Sequence, residues 1–383
     1  MIFPEAQPGF LEKSAVRYYR YLAHKFGTAT LRNLAIDDLP DDITLQTIAS
    51  NITHFAVIIA FGVGALTTLV TVWIESTYHG LLTTRDFYLL YGSALVVMLV
   101  VELVVLYWLG LKTVYSLACL VGYNEIEDDS LLPLHHSLPN ILARAALEAP
   151  DPIINYLGID PLKHLSKKKM LFIALLYKIK VILSSMIVRY LLIRFIGKGA
   201  SRTAFNWVAI PITGFWDAFT LYKVAHEARL RLFGHKLADY LVSSVLSDEI
   251  LSRLSQPARE GAVRAIASVM ALAQHYHPNL LILLVKFSGS LEIGEEKNYD
   301  DWGEFLKLSA GLAEAERFFL CDLLSIAAAF DGRISPLELR HLPEAFGELT
   351  EFYLHRTHQL TDMLVAGRLH AAKRLCSLSL GLD

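Results

Sequence analysis

Long apolar runs separated by polar segments lie between residues 52 and 225, whereas apolar positions recur at helical spacing among many charges from about 236 to 383. A helix needs roughly 20 apolar residues to cross about 30 Å of hydrocarbon. The stretch FAVIIAFGVGALTTLVTVWI, residues 55–74, meets that requirement without one charge. The next run extends from Tyr88 to Val121 and is interrupted only by Glu102 and Lys112. As a helix it is longer than the bilayer is thick, so it tilts or protrudes. A third run covers 170–196 and holds Lys178, Lys180, Arg189 and Arg194; a fourth covers 203–225 and holds Pro211, Gly214 and Asp217. These charges leave a second possibility for the last two runs, a hairpin lying in the membrane interface.

Positive charges in the connections orient the spans. Lys13, Arg17, Arg20, Lys25 and Arg32 precede the first span, but the loop after it carries only Arg85. Arg144, Lys163 and Lys167 to Lys169 follow the second, the short third connection carries Lys198 and Arg202, and Lys223, Arg229, Arg231 and Lys236 follow the fourth. The pattern predicts four spans with both termini cytoplasmic. Five segments result: an amphipathic arm at 1–50, a hairpin at 51–121, a cytoplasmic connection at 122–169, a second hairpin at 170–226, and a helical cytoplasmic domain at 227–383. The expected class is all-α, a four-span bundle with a helical domain. In the arm, FLEKSAVRYYRYLAHKFG turns Tyr18, Tyr19, Leu22 and Phe26 one way and its basic residues the other. That helix lies on a lipid surface or packs on the protein.

Composition agrees with a chain divided between two phases. The 383 residues are 54% hydrophobic and 19% charged, with mean hydropathy +0.41, too apolar for an ordinary soluble protein. Net charge −3 and the absence of a basic footprint argue against nucleic-acid binding. Cys119, Cys321 and Cys376 are odd in number and widely spaced, which suits neither a disulfide framework nor a zinc knuckle. No phosphate loop, dinucleotide fingerprint, HExxH or nucleophile elbow is visible, so nothing in the chain supports an enzyme.

An ionisable group deep in the bilayer normally faces the bundle interior and has a partner. With a rise of about 1.5 Å per residue, Glu102, Lys178, Lys180 and Asp217 all fall about 18–24 Å from the outer surface. Two carboxylates and two ammonium groups can neutralise one another there, while Arg189 and Arg194 reach toward the outer headgroups. Such a cluster is either interhelical glue or part of a wet ion path.

In the C-terminal region, AAAFDGRISPLELRHL predicts a helix ending at Asp331-Gly332 and another starting with Ser335 as N-cap, Pro336 in the first turn and Glu338 completing a capping box. Gly332, Ile334 and Glu338 also match the second half of an EF-hand, but Ala327 and Ala329 stand where its first carboxylates belong. The stretch resembles the TerB-like helical domains of bacterial tellurite-resistance and envelope-stress proteins. The third and fourth runs resemble bacterial multipass proteins that combine membrane hairpins with such a domain. The resemblance implies a bacterial inner-membrane protein acting as an interaction or stress-response module, with the bilayer and a protein partner or second copy as its contacts. It also implies a divalent metal near the turn, for which only Asp331 and Glu338 match; Asp322 or Glu316 would have to complete the site. No other cofactor is expected. A subunit of an ion channel or transporter using the intramembrane charges is the alternative.

Overall fold

Apolar periodicity becomes helix throughout the described residues, and no strand occurs among them. The computed structural model describes residues 10–26, 34–123, 202–274, 276–294 and 298–380, with short pieces at 143–144 and 159. The elements are α1 (Phe10–Phe26), α2 (Asp42–Tyr78), α3 (Thr84–Leu120), α4 (Arg202–Tyr240), a π-helical turn (Leu241–Val245), α5 (Asp248–Arg253), α6 (Gln256–Leu272), α7 (Pro278–Ser290), α8 (Trp302–Ala310), α9 (Glu314–Ala329), α10 (Pro336–Phe346), α11 (Thr350–Ala366) and α12 (Leu369–Leu375). The third apolar run, with Lys178, Lys180 and Arg189, lies outside the described residues.

The chain divides into two units, one within 50–113 and 165–225, the other within 1–49, 114–164 and 226–383. In the first, α2 and α3 are each 37 residues long and apolar enough to cross a membrane. Their length, about 55 Å at 1.5 Å per residue, exceeds the hydrocarbon thickness. A small core joins Ala56 and Ala60 of α2 to Leu109 of α3 and Leu221 of α4, flanked by Ile59 and Leu106. The small alanine side chains let the helices approach closely. Much of the remaining apolar surface faces outward, including Phe55, Ile58, Val96, Val100, Val104 and Phe215.

Sequence reading ends the fourth span near residue 225, whereas α4 continues without a break to Tyr240. EARLRLFGHKLADY contains good helix formers and no proline, so nothing stops propagation. Pro211 is also carried inside this helix; it removes one N–H from the ladder without ending it.

The second unit is built around α7, whose residues from Pro278 to Ser288 are all buried. A helix apolar all round belongs in a core. Helix α6 packs on α9, and small residues set their spacing: a Cβ on Gly261 would lie 2.8 Å from Leu320 Cδ1. Helix α11 joins α9 through Ser325 and Thr357, whose hydroxyls are 3.0 Å apart, and through the buried ion pair Asp322–Arg356. Ser247, Ser255 and Asp301 cap α5, α6 and α8 with side-chain acceptors, satisfying amides that the first turn leaves open. Gly367, at φ 77°, closes α11 in the left-handed region.

The N-terminal segments belong to this unit too. Ala15, Tyr19 and Leu22 of α1 are buried, with Tyr19 stacked on Tyr115. Of the two placements open for this helix, its apolar face thus packs on protein. Asp42 accepts from the amides of His370 and Ala371 at 2.8 and 2.9 Å.

Candidate functional site

Within the first unit, two acidic residues from different helices reach the same turn of α2. Glu102 of α3 is 3% exposed and Asp217 of α4 is 2% exposed. Thr67 donates its hydroxyl proton to Glu102 Oε2 at 2.6 Å, and its oxygen also lies 3.2 Å from the Gly64 carbonyl. Asp217 approaches Gly64 so closely that a Cβ there would overlap its Oδ2. One turn earlier on α4, a Cβ on Gly214 would stand 2.7 Å from the Phe61 carbonyl. Glycines on both helices therefore create the close crossing that brings Asp217 beside the Gly64–Thr67 turn. The hydroxyls of Thr71 and Thr213 bond to carbonyls of their own helices, Thr68 and Ala209.

Glu102 and Asp217 thus each reach the Gly64–Thr67 turn of α2, one through Thr67 and the other against Gly64. Lys178, Lys180 and Arg189 lie outside the described residues. Thr67 and Gly64 carry no charge and no depth signal, so the sequence offers no reason to single them out. The glycine spacing across two helices, 64 and 214, is visible only once the crossing is known.

In the second unit the Asp331-Gly332 turn closes α9 and hands the chain to α10. Asp331 Oδ1 accepts from the Arg333 amide at 2.9 Å, and Gly332 has φ 73°. Ser335 caps α10, Pro336 stands in its first turn, and Glu338 Oε2 accepts from the Ser335 amide at 2.6 Å to complete a capping box. Ser335 Oγ also donates to the carbonyl of Leu272 at 2.9 Å, tying the cap to the end of α6. Asn279 Nδ2 donates to the carbonyls of Leu230 and Phe330, both at 3.0 Å, so α4 and the turn are held by one side chain.

Glu338 is 0% exposed and its Oε1 is buried without a hydrogen-bond partner. Burial first, then the charge of Asp331, push its carboxyl up to about 8. Glu338 thus keeps its proton at neutral pH. A divalent ion fits them poorly, because Asp322 is occupied by Arg356 and by the Ser379 amide, while Glu316 accepts from the Ser255 amide. Among the described residues no group of three or more His, Cys, Asp and Glu side chains could hold a metal. His277 caps α7 by accepting from the Asn279 amide at 3.3 Å.

Two further polar features have no sequence motif. Tyr123 Oη lies 2.8 Å from His235 Nδ1, and Asp239 pairs with Lys286 at 2.9 Å. Burial works against the Asp239 carboxylate, but His235 and Lys286 outweigh it and hold the group well below the usual carboxylate range. Beside this network, a groove of about 590 Å³ opens between the π-helical turn, Asp37 and the C-terminal segment from His370 to Leu378. The latter residues are separated from Asp37 by more than three hundred positions, which conceals the groove from any local pattern. Comparison of the chain with protein-family models, curated proteins and solved structures finds no match.

Proposed function

We propose that this chain is a multipass protein of the bacterial inner membrane whose helical cytoplasmic domain acts as an interaction or stress-response module. The observation that carries the membrane assignment is α3: only 11% of its most apolar 18-residue window is buried. Val96, Val97, Val100, Val101, Leu103 and Val104 are all outward. Leaving such a surface in water costs roughly 25 cal/mol per Å², a cost that lipid contact removes. The exposed Trp207, Ile212, Phe215, Trp216 and Phe219 extend the same reasoning to α4. The interaction role rests on the TerB-like resemblance of the stretch around Asp331 and Glu338.

Extraction and topology assays test this reading. The chain should remain in the membrane through alkaline carbonate washing, with reporters at both termini on the cytoplasmic side and one between Tyr78 and Thr84 on the other. Release by carbonate, or termini on opposite faces, would sink it.

The convergence of Glu102 and Asp217 supports a second reading, an ion path. Flux through proteoliposomes that disappears in Glu102→Gln, with folding intact, favours conduction. Loss of protein abundance in Glu102→Gln, restored by neutralising an opposing lysine, favours structural glue.

A further inference from the structure

We infer that the groove beside the π-helical turn binds a small dianion, a phosphate monoester, through Lys373 and Arg374. Its volume, about 590 Å³, falls within the range of small-molecule sites, roughly 300–1,000 Å³. One wall is the turn Leu241–Val245, where the Leu246 amide bonds to the Leu241 carbonyl at 2.7 Å. A π-turn gives up regular helix geometry and such turns concentrate at functional sites. It sets Ser244 on the groove. The opposite wall is C-terminal and firmly held: Arg356 donates to the carbonyls of Leu375 and Ser377 at 2.8 and 2.6 Å, and Asp322 accepts from the Ser379 amide at 2.9 Å.

The charge balance selects the ligand. Lys373 is ion-paired with Asp37 and lies over the Tyr240 ring, 4.8 Å from its centre. Arg374 is exposed on the groove and has no hydrogen-bond or ion-pair partner among the described residues. Asp37 is the only carboxylate among the described residues of the lining, and its side chain is 72% exposed, so it can swing into solvent at little cost. Its departure leaves two cations with no anion between them. A phosphate monoester carries about −1.5 to −2 charges at pH 7 and three acceptor oxygens. It balances Lys373 and Arg374 and leaves an oxygen for Ser244 or Ser377. A single carboxylate would leave one cation uncompensated. Asp37 thus occupies the cation that the ligand claims, and removing its charge should strengthen binding.

The monoester can come from a soluble metabolite or from a lipid headgroup such as phosphatidic acid, and the same variants address both. Purified full chain is titrated calorimetrically with glycerol 3-phosphate and with AMP, using glycerol as the neutral control. In a second arm the chain is placed in phosphatidylcholine nanodiscs with or without phosphatidic acid. The wild type should bind a phosphate monoester and not glycerol. Arg374→Gln should weaken binding about tenfold, the scale of one charged hydrogen bond, and Asp37→Asn should strengthen it. Blockade of the titration by phosphatidic acid assigns the site to lipid; unimpeded titration assigns it to a soluble ester. Absence of binding in both arms, or affinities that Arg374→Gln and Asp37→Asn leave unchanged or move in the same direction, would overturn the proposal. Arg374 holds no structural bond, so loss of fold does not obscure the result.

Discussion

Gly64 and Asp217 occupy the same space by design: the carboxylate of one fills the volume that any side chain on the other would need. The Thr213 carbonyl stands 3.1 Å from the same point, so rotation of Asp217 alone does not clear it. Gly64→Ala should therefore destabilise the first unit by about 1–3 kcal/mol, the usual scale of overpacking. Unfolding of the detergent-solubilised chain measures it, and Gly64→Ala with Asp217→Ala should recover part of the loss. Equal stability of Gly64→Ala and wild type would contradict the close crossing.

Thr67 donates a hydrogen bond to Glu102 in a buried setting. Thr67→Val keeps the shape and removes the donor, which should cost about 1.5–3 kcal/mol, the range for hydrogen bonds to charged groups. In a double-mutant cycle with Glu102→Gln the two effects should couple rather than add.

Glu338 links stability to pH. Its folded carboxyl titrates at about 8, against 4.5 for the ordinary group. Between those values the folded chain holds a proton that the unfolded chain has released, so stability falls as pH rises from 4.5 to 8. Each pKa unit corresponds to about 1.4 kcal/mol as an upper scale. Glu338→Gln carries no titrating proton and keeps an acceptor for the Ser335 amide; its denaturation midpoint should vary less across this window than that of wild type. Parallel pH profiles would show that the burial of Glu338 is relieved by other means.

Asn279 joins three elements from one buried position. Asn279→Ala leaves the Leu230 and Phe330 carbonyls without this donor and should cost about 1–3 kcal/mol in chemical denaturation. Gly234→Ala should be comparably harmful, because its Cβ would overlap Asn279 Nδ2. Reversal of that second effect by Asn279→Ala would identify the overlap as its cause.

Ser335→Ala removes both an N-cap and the bond to Leu272. A cap is worth about 0.5–2 kcal/mol, and the tie to α6 should place the loss at the upper end. Ser335→Asp, which retains the cap acceptor but donates nothing to Leu272, should fall between the two.

Local rules made much of this protein legible. The apolar run at 55–74 and the one from Tyr88 onward specify α2 and α3 because length and hydropathy suffice to define a helix that excludes water. The Ser335-Pro336-Glu338 pattern specifies the start of α10 because a capping box closes within four residues. Helical class follows from 3.6-residue periodicity, which needs no knowledge of neighbours. The end of α4 was less legible: a change from apolar to charged residues reads as a boundary, but charge does not break a helix, and the ladder runs on to Tyr240. Small residues were illegible in another way. Nothing local marks Gly64, Gly214 or Gly234, yet each is required by an atom from a distant segment. The approach of Glu102 to Thr67 and of Asp217 to Gly64 depends on helix rotation and crossing, which no pattern along the chain encodes. The groove formed by Asp37, the π-helical turn and Lys373 is wholly tertiary. It brings together charges more than three hundred residues apart, and no pattern shorter than the fold encodes their distance.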